Sequence, residues 1–402
     1  MLLGLLSSAP RGMASDPPPL SVDEWQNLNE IAGKHRLGPL LHRLSVSRKS
    51  DADLPDALRA QWHADYRQSA MASLAAKGTL IRIGRALDKA GIAYGALKGA
   101  WLAWLGYEDP ALRPMRDIDI LVSPRDLEAA YRVLVANGLV ESTGRAFSDE
   151  TLTAGLKHLP ALRDRATGVY VELHGRLFEH IDADASLARL ARPDDLLRAR
   201  EWHMLDSERI AYLPATDNLL HLIVHCVHEH RFDNGPQVLH DIAALLSRQT
   251  VDWRRFWIDA EAGGWSRGCE LLLRMAERMT GSQPIAWRGE SAPALPEDVI
   301  EAATMLLLQD PDQRRDLDVQ RELGSLGSGS LDEAKTLLGR LFPPRRVIAA
   351  YAGMPTDQRR AWLYYPGWLV SRLTRTVRGT LDPSQQSEAR RSNVIANWLE
   401  GG

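Results

Sequence analysis

The sequence predicts an α+β protein in which a small mixed β-sheet is flanked by helical regions on its N- and C-terminal sides. Three observations carry that expectation. The first ~90 residues have helical periodicity, short apolar runs bounded by turn residues follow between Ala90 and Leu173, and helical periodicity returns beyond Phe178. The regions read from these changes are 1–88 (N-terminal helical), 89–180 (sheet-bearing core), 181–290 (second helical region) and 291–402 (C-terminal helical extension).

After Pro17-Pro-Pro19, the segment Ser21-Val-Asp-Glu24 offers a capping hydroxyl and then acids where the free N–H groups of a first turn lie, so a helix starts there. The pattern breaks near Leu37-Gly38-Pro39 and over 51–55, then runs from Pro55 to Ala90, with Leu80, Ile83 and Leu87 on one face. Ala90-Gly91 stops that helix, and Ile92-Ala-Tyr-Gly-Ala-Leu97 reads as a short buried strand. A helix over 100–105 and a second strand over 118–122 follow. Ser123-Pro124 then opens a helix that ends at Asn137-Gly138. Runs at 156–162 and 169–173 read as a hairpin about the turn Arg163-Asp-Arg-Ala-Thr-Gly168. Helices with one apolar face are expected at 219–230, 238–246 and 269–279. A Pro- and Gly-bearing linker, 282–296, leads to a last helical segment with an Arg- and Trp-rich tail.

At 402 residues the chain is long enough for more than one core, and a hydrophobic fraction of 45% with 25% charged residues matches a soluble globular protein. A net charge of −3 gives no global attraction to nucleic acid or to an acidic membrane. Two cysteines, Cys226 and Cys269, without a CxxC motif, point to a reducing compartment, and the cytoplasm is the expected location. Met1-Leu-Leu-Gly-Leu-Leu6 lacks the positive flank and the length of a signal peptide, and no apolar run approaches the ~20 residues of a membrane span.

The chemistry-bearing segment is Arg116-Asp-Ile-Asp-Ile-Leu-Val122. On a strand, Asp117 and Asp119 leave one face while Ile118 and Ile120 enter the core. Two carboxylates on one face suit a divalent cation, and magnesium favours one or two carboxylates completed by water and phosphate oxygens. Glu172, in Val171-Glu-Leu-His174, is the candidate third acid, because Val171 and Leu173 face the opposite way. His174 is expected on the face opposite Glu172, as a core or supporting residue. An Asp-x-Asp tripeptide alone is common on solvated strand edges. The order of strand, Lys98-Gly99, helix, Asp-x-Asp strand and later acidic strand is what gives it meaning.

Ala96-Leu-Lys-Gly-Ala-Trp101, Tyr107, Leu112-Arg-Pro-Met-Arg-Asp-Ile-Asp-Ile-Leu-Val122, Val171-Glu-Leu-His174, Leu220-His-Leu-Ile-Val-His-Cys-Val-His-Glu-His-Arg-Phe232 and Asp241-Ile242 together resemble the uncharacterised nucleotidyltransferase family of the polymerase β-like superfamily. The resemblance covers 90–250 well. It implies a polymerase β-like core in which Asp117 and Asp119 bind two magnesium ions, or manganese, and Glu172 binds the ion nearer the attacking oxygen. The partners it implies are an NTP and an acceptor, with in-line attack on the α-phosphorus and release of pyrophosphate. Superfamily members usually place Gly-Ser before the catalytic helix, whereas this chain has Lys98-Gly99-Ala100, as is usual for the family. Lys98 is therefore a candidate phosphate ligand beside Gly99, whose bare backbone admits an anion. Arg113 matches the family motif and is assigned to the nucleotide. Arg116 stands where relatives carry Gly, and either approaches the triphosphate or is solvated. His225 and Asp241 recur in the family pattern and are candidates to line a substrate cleft.

His221, His225, His228 and His230 include an i, i+4 pair able to bind a transition metal, although a structural or substrate-contacting role is the favoured expectation. Most of the twelve tryptophans, among them Trp253, Trp257 and Trp265, fall at helical spacing and are expected in the core. The basic stretch 372–378 reads as a solvated helix face. Nothing strongly signals nucleic acid, and the helical flanks favour a small-molecule or peptide acceptor over duplex. Two competing readings are an Asp-x-Asp glycosyltransferase, which would need several strands before the motif, and a non-catalytic member that binds a nucleotide or a protein.

Overall fold

The computed structural model describes residues 20–47, 54–141, 159–178, 188–281, 283–289, 291–310, 359–368 and 383–401. The chain divides into two compact units, Met1–Leu295 and Pro296–Gly402. In the second, helices Glu297–Leu307 and Pro383–Glu400 pack together. The basic 372–378 stretch lies outside the described residues.

In the first unit, α1 (Val22–Lys34) starts as the sequence predicts. The Ser21 Oγ accepts from the Glu24 N–H while the Glu24 carboxylate accepts from the Ser21 N–H, so two otherwise free donors are satisfied. Helix α2 (Gly38–Ser47) packs on α3 (Asp56–Lys89), whose apolar face, Leu80, Ile83 and Leu87, is fully buried. Gly84 of α3 is a close approach: a Cβ there would meet the Tyr94 hydroxyl at 2.6 Å and Ile210 at 2.9 Å.

A mixed seven-stranded sheet follows, with spatial order β3-β4-β5-β2-β1-β7-β6. Its strands are β1 (Tyr94–Ala96), β2 (Asp117–Val122), β3 (Leu139–Glu141), β4 (Leu162–Asp164), β5 (Tyr170–His174), β6 (Glu201–Leu205) and β7 (Glu208–Tyr212). The central β2 runs antiparallel to β1 and parallel to β5. Its Ile118, Ile120, Leu121 and Val122 are all buried, as a strand covered on both faces requires. This is the α+β architecture predicted from the sequence.

Several elements differ from the sequence reading. The region beyond Phe178, read as helical, contributes β6 and β7, joined by a turn at Asp206 with φ +56. Trp202 and Met204 are exposed while Ile210, Ala211 and Tyr212 are buried in a row, so no clean alternation marks these strands in a stretch full of charges. Of the expected strand at 156–162, residues 156–158 lie outside the described residues, 159–161 are not in a strand, and β4 runs from Leu162 to Asp164. Asp164 explains the shift. Its buried carboxylate accepts from Thr79 (2.6 Å) and Thr167 (2.8 Å) and pairs with Arg82, fastening β4 to α3. The helix expected over 100–105 is a short α4 (Lys98–Trp101) that widens into a π-turn over Leu102–Gly106. After α5 (Leu127–Ala136) and α6 (Pro193–Arg198), α7 (Ala215–Val224) likewise passes into a π-turn over His225–Glu229. Trp257 and Trp265 are buried in the core, as expected, whereas Trp253 is half-buried.

Candidate functional site

Parallel pairing of β2 with β5 sets Asp119 directly across from Glu172 and Leu121 across from His174. Asp119 is buried and its carboxylate is shared. Its Oδ1 accepts from the Lys98 ammonium at 3.0 Å and from His174 Nε2 at 2.6 Å. His174 Nε2 also lies 3.5 Å from Glu172 Oε2. His174 therefore shares the face of Glu172, which corrects the expectation that it points the other way. Residues 172 and 174 are two apart on a regular strand, and a period of two returns both to one face.

Lys98 follows β1 immediately, and its backbone sits at φ +42, a left-handed conformation that costs energy for a residue with a Cβ. The Asp119 carbonyl accepts from the Leu97 N–H at 3.1 Å, so the turn is tied to β2 through main chain and side chain together. Gly99 lies against Met115; a Cβ there would stand 3.2 Å from the Met115 Cγ.

The charges are unequally settled. Burial alone would lower the Lys98 pKa, but Asp119, Asp117 and Glu172 outweigh it and hold the ammonium above its ordinary value. Burial opposes ionisation of Asp119 as well, yet Lys98 and His174 drive its pKa well below the carboxylate range. At Asp117 the pull of Lys98 and His174 is outweighed. Burial, together with the charges of Asp119 and Glu172, pushes it up to about 6. One oxygen each from Asp119 and Glu172 and one nitrogen of His174 lie within 4.8 Å of one another, a possible acidic metal site, and Asp117 adjoins that group without belonging to it.

The other sequence candidates fall into separate clusters. Arg113 is committed to Asp241: its Nε donates to Oδ1 at 2.8 Å and to Oδ2 at 3.0 Å, and the Tyr107 hydroxyl donates to the same Oδ1 at 2.8 Å. This buried pair joins the loop before β2 to helix α8 (Gln237–Arg248), and Gln237 Nε2 adds a bond to the Leu112 carbonyl at 3.2 Å. His225 instead bonds Glu229, its Nδ1 2.7 Å from Oε2. Arg116 is exposed. Arg36, on the turn between α1 and α2, escaped the sequence reading. Its pKa is lowered by burial and then by Arg116, and Asp117 acts on it in the opposite sense, so a cation from the N-terminal helices reaches the rim of this site. No local motif marks Arg36 apart from a left-handed φ of +55.

The family described as uncharacterised nucleotidyltransferase matches residues 21–281, from α1 through helix Ser266–Thr280. No curated protein matches the chain. Among the described residues no helix is long and apolar enough to cross a membrane.

Proposed function

We propose, for a chain that belongs to the uncharacterised nucleotidyltransferase family, that it transfers a nucleoside monophosphate from an NTP to an acceptor and releases pyrophosphate. The observation that carries this reading is the parallel register of β2 and β5, which faces Asp119 with Glu172 two residues along from Asp117. The donor set fits magnesium or manganese. Hard carboxylate oxygens suit these ions, and burial, followed by the charges of Asp119 and Glu172, raises the pKa of Asp117 in spite of Lys98 and His174. Asp117, Asp119 and Glu172 are the residues that would hold two such ions. When bound, the ions would supply charge that neutralises the triphosphate and the oxygens on which negative charge develops.

The chain's own residues do the remaining work. Lys98 keeps Asp119 ionised and oriented. Arg116 and Arg36 bring positive charge to the rim where a triphosphate enters, and Gly99 lets the backbone approach it. Arg113 acts at the nucleotide through the fixed loop before β2, its guanidinium anchored by Asp241. Glu172 takes the proton of the acceptor oxygen as that oxygen bonds the α-phosphorus and the bond to pyrophosphate breaks in line. The acceptor contributes a hydroxyl or phosphate of a small molecule or peptide, a class favoured by the helices on both sides of the core. Two buried cysteines outside any disulfide, Cys226 and Cys269, support a reducing compartment such as the cytoplasm.

The test is intact-mass analysis of candidate acceptors after incubation with mixed NTPs and Mg²⁺, comparing the wild type with Asp117→Ala/Asp119→Ala. A nucleotide-sized gain is expected with the wild type alone. Equal labelling by the double variant would refute the site, and thermal stabilisation by no NTP at all would refute the activity.

A further inference from the structure

We propose a second metal site, distinct from the carboxylate centre, in which His225, Glu229 and His230 hold a zinc-class divalent cation. One ring nitrogen from each histidine and one carboxylate oxygen lie within 4.8 Å of one another. In an α-helix, positions five apart stand about 140° apart around the axis, so 225 and 230 would diverge. The π-turn removes that divergence. The His230 N–H donates to the His225 carbonyl at 3.0 Å, an i+5 bond that brings the two imidazoles edge to face with ring centroids 4.2 Å apart.

The turn is held open against strain. Arg231 and Phe232 both have left-handed backbones, at φ +47 and +71. Phe232 is nevertheless completely buried, and its N–H donates to the Cys226 carbonyl at 2.8 Å. Chain closure of this kind fixes the direction of His230 before any ligand arrives.

A second observation points to a metal rather than to packing alone. His230 Nδ1 lies 2.8 Å from Asp233 Oδ1, an arrangement in which the carboxylate holds the Nδ1 proton and leaves Nε2 as a lone-pair donor. Asp233 thus supplies the outer carboxylate that orients a metal-binding imidazole. Two imidazoles and one carboxylate are the donor types zinc takes in three-ligand sites that keep a fourth position open. A metal bound at His225 Nδ1 would displace the proton shared with Glu229 Oε2, which the neutral ring keeps by moving it to Nε2. His221 and His228 are outside the group, so the histidine-rich stretch is divided by geometry into two ligands and two packing residues. The ring of His221 lies 5.8 Å from that of Phe178, just beyond the strand that carries Glu172.

The probe is cobalt(II), titrated into chelator-treated full-length protein and followed by its visible absorption, with zinc displacement as the second reading. One equivalent with an intense low-coordinate spectrum is expected in the wild type and in Asp119→Asn, because the carboxylate centre is not involved. His225→Ala and His230→Ala should abolish that equivalent, and Asp233→Asn should weaken it about tenfold or more. X-ray absorption of the cobalt-loaded wild type, which needs no variant to fold, should show nitrogen donors from two imidazoles. An all-oxygen shell, or a band retained in His230→Ala and lost in Asp119→Asn, would assign the ion to the carboxylate centre and overturn the proposal. So would the lack of any stoichiometric cobalt binding.

Discussion

The Lys98 ammonium and the His174 imidazole converge on one oxygen, Asp119 Oδ1, from 3.0 and 2.6 Å. The most buried acid of the site is thus held ionised by the protein itself.

Removing the cation has a directional consequence. Lys98→Met leaves Asp119 buried with His174 alone, and breaking a buried pair costs about 3–5 kcal/mol. The variant should therefore melt earlier than the wild type without added metal. Because Lys98 no longer competes for Oδ1, saturating Mg²⁺ should raise its Tm more than it raises that of the wild type. Thermal melts with and without Mg²⁺ measure both effects. An equal Mg²⁺ increment in the two proteins would argue against Asp119 as a ligand.

Arg113 and Asp241 form the joint between the sheet and α8. Asp241→Ala strands a buried guanidinium and removes the acceptor of the Tyr107 hydroxyl, so a loss of about 3–5 kcal/mol is expected in urea unfolding. Adding Arg113→Met should restore part of it. If the double variant is as unstable as the sum of the two singles, the pair is not coupled.

Asp217 lies on α7 beside Arg189 (3.3 Å) and Arg255 (3.1 Å), yet burial pushes its pKa up to about 6. The folded pKa is higher than the unfolded one of 3.8, so the native state binds the proton more tightly. Its contribution to stability is complete below pH ~4 and is lost as the pH rises through ~6. Relative to Asp217→Asn, the wild type should lose up to about 3 kcal/mol between pH 4 and 6.5, and chemical denaturation at stepped pH reads the difference. A constant difference across that window would contradict the shift.

Arg36 separates backbone cost from electrostatic use. Arg36→Gly relieves the left-handed φ and should stabilise the fold by about 0.5–1 kcal/mol, whereas Arg36→Ala should not. Both variants should weaken NTP binding severalfold, most at low ionic strength, as isothermal titration would reveal. Unchanged NTP affinity in both would remove Arg36 from the site.

The Asp-x-Asp strand, the acid on a later strand and the capped helix at Ser21 were legible in the sequence. Each depends on local rules: a period of two, a cap three residues from its partner, glycine at a stop. Strands β6 and β7 lack that alternation, since β7 buries Ile210, Ala211 and Tyr212 in a row, and pairing of β7 with β1 is a long-range event that no local window contains. Arg36 became visible only because the fold brings the α1–α2 turn within electrostatic reach of Arg116 and Asp117, some 80 positions along the chain. The histidines show the division most clearly. Spacing marked only an i, i+4 pair, whereas one i+5 hydrogen bond brings His230 beside His225 and Glu229.

For the aspartate pair, the sequence by itself determined which carboxylates share a face, because alternation along a strand is a property of the backbone. Only the tertiary structure decided their ionisation. Asp119 meets Lys98 and His174 and is held charged, while Asp117, two residues away on the same face, meets other carboxylates and is pushed up to about 6. Burial and the neighbours delivered by other strands, rather than the residue type, set that difference.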